Sequence, residues 1–162
     1  MKIIGVYPGT FDPITTGHLD IIKRSLKLVD KLYVAVAADS SKNALFSLSE
    51  RVEMIRQEIN ANGLDSNAIE VEAFSGLLVN FAKERKATIS IRGVRAIADF
   101  ECEFQMACMN SILDSGLETI FLPASAGLQL VSSKLVKEVI KLGGDVGNFI
   151  SDRVKTRLIS KK

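Results

Sequence analysis

The sequence predicts an α/β fold: a doubly wound, five-stranded parallel sheet finished by a C-terminal helix. Three observations predict it. Five short apolar, β-branched runs recur along the chain, a helix-period stretch separates each from the next, and nothing between them reads as a linker, internal repeat or low-complexity tract. Parallel neighbours need crossover connections, and those crossovers cover both faces of the sheet. With 162 residues, 47% of them hydrophobic, the chain can build one sizeable core and is too short for two ordinary domains, so residues 1–162 are expected to form a single domain.

The elements follow in order. Ile3 to Tyr7 forms the first strand. Leu19, Ile22, Leu26 and Val29 then make one apolar stripe, with Lys23, Arg24 and Lys27 set away from it, as a helix covering a sheet requires. After a second strand, Leu32 to Ala37, the stripe Leu48, Val52, Ile55 and Ile59 marks a helix opened by Ser47-Leu48-Ser49-Glu50, a capping-box spacing, and closed near Gly63. The third strand spans Ile69 to Ala73, and Ser75 opens a helix carrying Leu78, Phe81 and Ala82. The fourth, Thr88 to Ile91, precedes a helix marked by Ile97, Phe100, Phe104 and Ala107 and stopped by Gly116. Glu118 to Leu122 is the fifth strand. Its helix begins near Ser132 and ends at Gly143-Gly144. A last amphipathic segment, Ser151 to Ile159 with Val154 and Leu158, docks on the outside or against a partner subunit.

Charge narrows the partners. A formal charge of +2, from 21 basic and 19 acidic residues with no basic run except Lys161-Lys162, gives no support to nucleic-acid or membrane-surface binding. The N-terminus lacks a signal-peptide layout and no apolar stretch is long enough to cross a bilayer, so the expected place is the cytoplasm. Cys102 and Cys108 stand six apart in a helical stretch and point in well separated directions, which reads as two partly buried thiols rather than a disulfide.

In such sheets ligands bind beyond the carboxyl ends of the strands. Polar residues collect there. After the first strand come Gly9-Thr10-Phe11-Asp12-Pro13 and Thr16-Gly17-His18; after the second, Asp39-Ser40-Ser41-Lys42; after the fourth, Arg92-Gly93-Val94-Arg95; after the fifth, Val131-Ser132-Ser133-Lys134. The chemistry favours phosphate. Gly9 and Gly17 let backbone approach a ligand, and the helix starting near Gly17 offers unpaired N–H groups and a positive dipole end. His18, the one histidine of the chain, falls in that first turn, where it either caps and packs or donates to a phosphoryl oxygen that gains charge in the transition state. Lys42, after a strand end and opposite the first loop, is either a solvated side chain or a phosphate ligand, and Arg92 and Arg95, flanking a glycine, are either a surface pair or two guanidinium groups suited to polyphosphate. Ser132 or Ser133 caps the helix that it opens, and a cap and a phosphate site use the same N–H groups.

These residues carry a resemblance. YPGTFDPITTGH at Tyr7 to His18 resembles the signature of the nucleotidyltransferase superfamily, which shares an H-x-G-H motif with class I aminoacyl-tRNA synthetases, and the form Thr15-Thr16-Gly17-His18 is similar to that of the bacterial phosphopantetheine adenylyltransferases. IRGVRAIADFE at Ile91 to Glu101, SSKLVKEV at Ser132 to Val139 and FSGLLVNFA at Phe74 to Ala82 resemble further blocks of that family, in register over essentially the whole chain. The resemblance implies a Rossmann-like nucleotidyltransferase fold and the reaction of ATP with 4'-phosphopantetheine to give dephospho-coenzyme A and pyrophosphate. It implies that Thr10, Lys42 and Arg92 hold the acceptor phosphate and that Leu78 packs on the pantetheine arm. It places ATP on Thr10, Phe11, His18, Gly93, Val94, Arg95, Glu103 and the stretch Leu128, Gln129, Leu130, Val131, Ser132, Ser133 and Lys134, with His18, Lys42 and Arg92 catalytic. Mg²⁺ on the ATP phosphates, a homohexamer and coenzyme A as a feedback ligand are implied in the same way.

The chain departs from the family pattern in places. Three consecutive serines are usual where Ser132-Ser133-Lys134 stands, so Lys134 either supplies a charge to the triphosphate or points outward. Leu128 and Cys102 occupy positions where aromatic residues are common. Asn43-Ala44 replaces a Lys-Pro pair, which leaves the segment around Lys42 less constrained.

Overall fold

The computed structural model describes residues 2–38 and 44–161. Five strands form one sheet: β1 (Ile4–Gly9), β2 (Lys31–Ala37), β3 (Ile69–Phe74), β4 (Ile89–Val94) and β5 (Glu118–Pro123). Six helices alternate with and follow them: α1 (Thr16–Ser25), α2 (Leu48–Ala61), α3 (Leu78–Glu84), α4 (Ile97–Leu113), α5 (Ser133–Lys141) and α6 (Asp152–Ser160). The sheet order is β3-β2-β1-β4-β5 and every neighbouring pair is parallel, as the crossover pattern requires.

This order locates the site before any side chain is considered. The chain runs outward from β1 through β2 to β3, then crosses back to β4 and runs the other way to β5. Connections therefore leave β1 and β4 in opposite senses, and a crevice opens beyond their carboxyl ends. The ladder between them pairs Gly5 with Ile89 and Val6 with Ser90 and goes no further, so Tyr7 to Gly9 and Ile91 to Val94 splay apart.

Period-2 alternation divides the core. Tyr7, Val34 and Val36 face one side with Ile21 and Ile22 of α1, Met54, Ile55 and Ile59 of α2, Val136 and Ile140 of α5, and Val154 and Leu158 of α6. Val6 and Ala35 face the other side with Val79, Phe81 and Ala82 of α3. Each large aliphatic side chain fully buried in this way contributes ~1.5–3 kcal/mol before the cost of ordering the chain. The Ser47–Glu50 capping box at the start of α2 is present in full: Ser47 Oγ accepts from Glu50 N and Glu50 accepts from Ser47 N.

Four sequence expectations are corrected. Arg92, Gly93 and Val94 lie within β4 rather than after it, because β5 continues pairing with that strand through Val94 and Pro123. α3 begins at Leu78 with Leu77 as its N-cap, not at Ser75, since Gly76 at φ 75° turns the chain in between. The apolar residues of α4 do not form a covered stripe: Ile97 is 88% and Ile112 79% exposed, and Phe100, Phe104, Met106 and Met109 are exposed with them. Cys102 and Cys108 share that uncovered helix and are exposed free thiols, not partly buried ones. α6, for which two docking places were open, lies on its own chain's core through Val154 and Leu158. No helix of the described residues is long and apolar enough to cross a membrane.

Candidate active site

The turn after β1 is built tightly. A Cβ at Gly9 would sit 2.9 Å from the Phe11 ring, so only glycine leaves that ring its place. Phe11 itself takes φ 50°, a left-handed conformation costing an L-residue roughly 1–2 kcal/mol. Its buried ring offsets that cost by meeting Tyr7 edge-on at 5.4 Å and His18 at 4.9 Å. Asp12, also buried, accepts from Leu45 N and Phe46 N at 2.9 Å each and from Lys137 Nζ at 2.8 Å. One carboxylate thereby joins the β1 turn, the segment leading into α2, and α5. Burial alone would raise the Asp12 pKa, but the Lys137 hydrogen bond and the two N–H groups outweigh it and hold the carboxyl below its ordinary value. From the other side Arg51 donates to Thr10 O at 2.7 Å and Ala37 O at 3.0 Å, tying the ends of β1 and β2 together.

His18 occupies the third position of α1, and its ring does two things. Its Nδ1 accepts from Thr15 N at 3.0 Å while the His18 backbone N–H donates to Thr15 Oγ1 at 3.3 Å, completing a capping box with a histidine where glutamate is usual. An Nδ1 that accepts must be unprotonated, so Nε2 carries the hydrogen and the neutral ring is a donor at its far end. Burial, reinforced by the charge of Arg95, pushes the His18 pKa down to about 4, which keeps that tautomer neutral at ordinary pH. Two of the N–H groups expected to stand open at this helix start are taken: Thr16 N and Thr16 Oγ1 both donate to Phe149 O, and His18 N goes to Thr15. Gly17 N, among the described residues, keeps no protein acceptor, and Gly17 lines the cavity.

That cavity, of about 410 Å³, fills the split between β1 and β4 and reaches the start of α5. It brings together Thr10, Phe11, His18, Arg92, Gly93, Val94, Arg95, Glu103, Leu128, Val131, Ser132, Ser133 and Lys134. A second cavity of about 300 Å³ opens beside it, with Leu78, Phe74, Met106, Ala107 and Asn110 in its wall. Pro8, Gly9, Thr10, Arg92 and Glu103 line both.

Two of the sequence's site candidates are not brought in. Gln129 turns back to accept from Gly127 N at 2.9 Å, Leu130 is 79% exposed, and neither lines a cavity. Lys42, with Asp39, Ser40, Ser41 and Asn43, lies outside the described residues. Lys134 sits exposed at the mouth of the first cavity.

The arginines are not the free guanidinium pair that their spacing suggests. Arg92 sends Nε and Nη2 to the Glu103 carboxylate, the second at 2.8 Å, and Nη1 to Pro8 O at 3.2 Å. Arg95 grips Asp99 through Nε at 2.8 Å and Nη2 at 3.2 Å, and donates from Nη1 to Val131 O at 3.1 Å. Carboxylates in the first two turns of α4 thus aim both groups. The α5 end is fastened likewise: Ser132 is the N-cap, accepting from Leu135 N at 3.1 Å, and Ser133 Oγ donates to Pro13 O at 2.7 Å. Asp20 and Arg24 of α1 hold Ser125 and the Pro123 carbonyl, which sets the direction of the stretch between β5 and α5.

Sequence reasoning missed Lys137, Arg51 and Asn110. For Lys137 a signal existed, since it stands four residues after Ser133 and shares its helix face. For Arg51 and Asn110 none did, because their roles depend on strand ends distant in sequence.

Comparison with known proteins finds relatives in sequence and in fold. The family described as cytidylyltransferase-like matches residues 6–139. A protein of Wolbachia pipientis subsp. Culex pipiens named phosphopantetheine adenylyltransferase is 53% identical over 157 residues, spanning 97% of this chain and 92% of that one. One of the same name from Cereibacter sphaeroides is 51% identical over 158 residues, 98% of each chain. Among solved structures, the nicotinic acid mononucleotide adenylyltransferase of Plasmodium falciparum complexed with APC superposes with a TM-score of 0.73 over 99% of this chain and 96% of its own, at 16% identity, a likeness of fold.

Proposed function

Because the chain belongs to the cytidylyltransferase-like family and, within it, to the phosphopantetheine adenylyltransferases, we propose that it transfers the adenylyl group of ATP to 4'-phosphopantetheine, releasing pyrophosphate and dephospho-coenzyme A. The observation that carries the mechanism is the pair of adjoining cavities with Thr10, Arg92 and Glu103 in their common wall. A nucleotide in the first and an acceptor arm along Leu78 in the second meet at that wall with their phosphates side by side. An oxygen of the acceptor phosphate attacks the α-phosphorus in line, the bond to the pyrophosphate oxygen breaks, and no covalent enzyme intermediate forms. The attacking oxygen is already anionic, so no general base is required and the protein's work is positioning and charge stabilisation.

In this reading Nε2–H of the neutral His18 donates to an α-phosphoryl oxygen, Gly17 N–H and the α1 N-terminus add to it, and Arg92 and Lys42 hold the acceptor phosphate. Arg95, Ser132, Ser133 and Lys134 face the rest of the triphosphate, and Phe11, Gly93, Val94, Glu103, Leu128 and Val131 enclose the nucleotide. Mg²⁺ fits as a companion of the triphosphate. Among the described residues no group of three or more His, Cys, Asp or Glu forms a cage, and this ion is ordinarily held by substrate phosphates and water with few protein ligands. Bound there, it would neutralise charge on the leaving pyrophosphate.

Coenzyme A, which carries both an adenylate and a pantetheine part, suits the two cavities together and would act as a feedback ligand. The uncovered apolar face of α4 supports assembly of identical chains, and the family resemblance favours a hexamer for it. Two exposed free thiols suit the reducing cytoplasm. The test of the reaction is pyrophosphate release with ATP, Mg²⁺ and each acceptor in turn. Turnover is expected with 4'-phosphopantetheine, and faster turnover with nicotinate mononucleotide or glycerol phosphate would overturn the assignment.

A further inference from the structure

Tyr7 forms part of the floor of the first cavity, and no step described above uses its hydroxyl. The ring is firmly held: the residue is 6% exposed and packs edge-on to Phe11. The hydroxyl is not held. Among the described residues no protein group donates to it or accepts from it, and it keeps its opening onto the cavity rather than being sealed into the core. Leaving a phenol so enclosed without a partner is unfavourable, and such groups are completed by a ligand or by water. The oxygen stands 3.9 Å from where a Cβ on Gly93 would be, and the charges that act on it most strongly are Arg92, Glu103 and Arg95. Burial raises its pKa well above the ordinary phenol value, so it is an O–H donor at any working pH. It lines the first cavity and not the second, whereas Thr10, Arg92 and Glu103 line both.

We infer that Tyr7 is a further nucleotide-binding residue, whose phenolic O–H donates a hydrogen bond to an oxygen of the nucleotide seated between Gly93 and the α1 N-terminus. This rests on the reading of the first cavity as the nucleotide site.

Tyr7→Phe keeps the ring and removes the donor. Titration with α,β-methylene-ATP in the absence of acceptor is expected to give a dissociation constant about 10-fold or more above wild type, the size of one lost hydrogen bond to a charged or strongly polar oxygen. The KM for 4'-phosphopantetheine should stay unchanged. A change below about 2-fold in the nucleotide constant overturns the inference, as does an equal rise in both constants. If Tyr7→Phe fails to fold, the wild-type chain answers instead. It contains two tyrosines, and Tyr33 packs on Phe81 at 6.3 Å on the other face of the sheet. With carbon-13 at the tyrosine Cζ and Tyr33→Phe for assignment, the Tyr7 resonance should move on saturation with the analogue; a stationary resonance refutes the contact. Wild-type chain that binds no analogue overturns this inference and the nucleotide reading together, while analogue binding without turnover on 4'-phosphopantetheine refutes the acceptor alone.

Discussion

His18 is asked to do two jobs at opposite ends of one ring, and substitutions that imitate one end at a time separate them. Nδ1 accepts the Thr15 N–H at 3.0 Å and closes the α1 cap, while Nε2–H is the proposed donor to the α-phosphoryl oxygen. In His18→Asn, Oδ1 takes nearly the place of Nδ1 and can keep the cap, but nothing reaches where Nε2 was. His18→Ala loses both ends. Removing a single preorganised donor to a developing oxyanion lowers kcat by about 10²–10³. Losing a side-chain cap costs ~1 kcal/mol, or about 2–4 °C in Tm for a chain of this size. The expected pattern is therefore a kcat fall of roughly that factor in both variants, with Tm retained in His18→Asn and lowered by about 2–4 °C in His18→Ala. Pyrophosphate release under saturating ATP and acceptor reads the first quantity and a thermal melt the second. A kcat for His18→Asn within about 10-fold of wild type refutes the donor role; equal melting losses in both variants refute the capping role.

Four other outcomes are expected. Asp12→Asn leaves Lys137, Leu45 N and Phe46 N sharing one neutral amide, and breaking such a buried charged network costs ~2–4 kcal/mol, so Tm should fall by roughly 5–15 °C; a fall under about 3 °C would contradict the geometry drawn for Asp12. The depressed His18 pKa makes the unfolded chain take up more protons between pH 6.5 and about 4, so its contribution to stability falls as pH drops through that window. Because the ring keeps some solvent, ~2 kcal/mol of the wild-type advantage over His18→Asn should vanish between pH 7 and pH 4.5 in urea titrations, and parallel pH profiles would exclude the assigned shift. Lys134→Ala should raise the KM for ATP about 3- to 10-fold if the exposed ammonium pairs with the triphosphate, and an unchanged KM settles that it faces solvent. Phe100→Ser with Phe104→Ser should reduce the mass measured by light scattering if α4 is a subunit interface, and an undiminished assembly would move the interface elsewhere.

Much of the fold is legible in the sequence because the signals are local. Ser47 and Glu50 cap α2 with groups three residues apart, and the period-2 alternation of Val34 and Val36 against Ala35 needs no partner to be read. The carboxyl edge is legible for the same reason, as loops rich in Gly, Thr, Arg and Ser follow apolar runs. What stays hidden is pairing across the chain. Arg92 and Glu103 are eleven residues apart, Arg51 and Thr10 forty-one, Asp12 and Lys137 one hundred and twenty-five, and no periodicity announces any of them. The exposure of α4 misleads in the opposite direction. Ile97, Phe100 and Phe104 have the composition of a buried face, but they stay 88%, 44% and 51% exposed even though Phe100 meets Phe121 edge-on.

Those long-range pairs explain why the site can collect cations without flying apart. Arg92, Arg95, Lys134 and Lys137 line the first cavity with Asp12 and Glu103 the carboxylates among them, and Asp99 stands behind Arg95. Unpaired, four like charges around one crevice would repel and their long side chains would wander. Each guanidinium is instead pinned by a carboxylate and a backbone carbonyl, which together use Nε–H, one hydrogen of Nη2 and one of Nη1. Of five N–H groups two remain, and they point in directions already set. A phosphate arriving there meets oriented donors and loses little entropy in fixing them, while a monovalent anion without several oxygens gains from one of them at best. The carboxylates thus trade raw attraction for direction, which is what a reaction requiring attacking oxygen, phosphorus and leaving oxygen in line needs more.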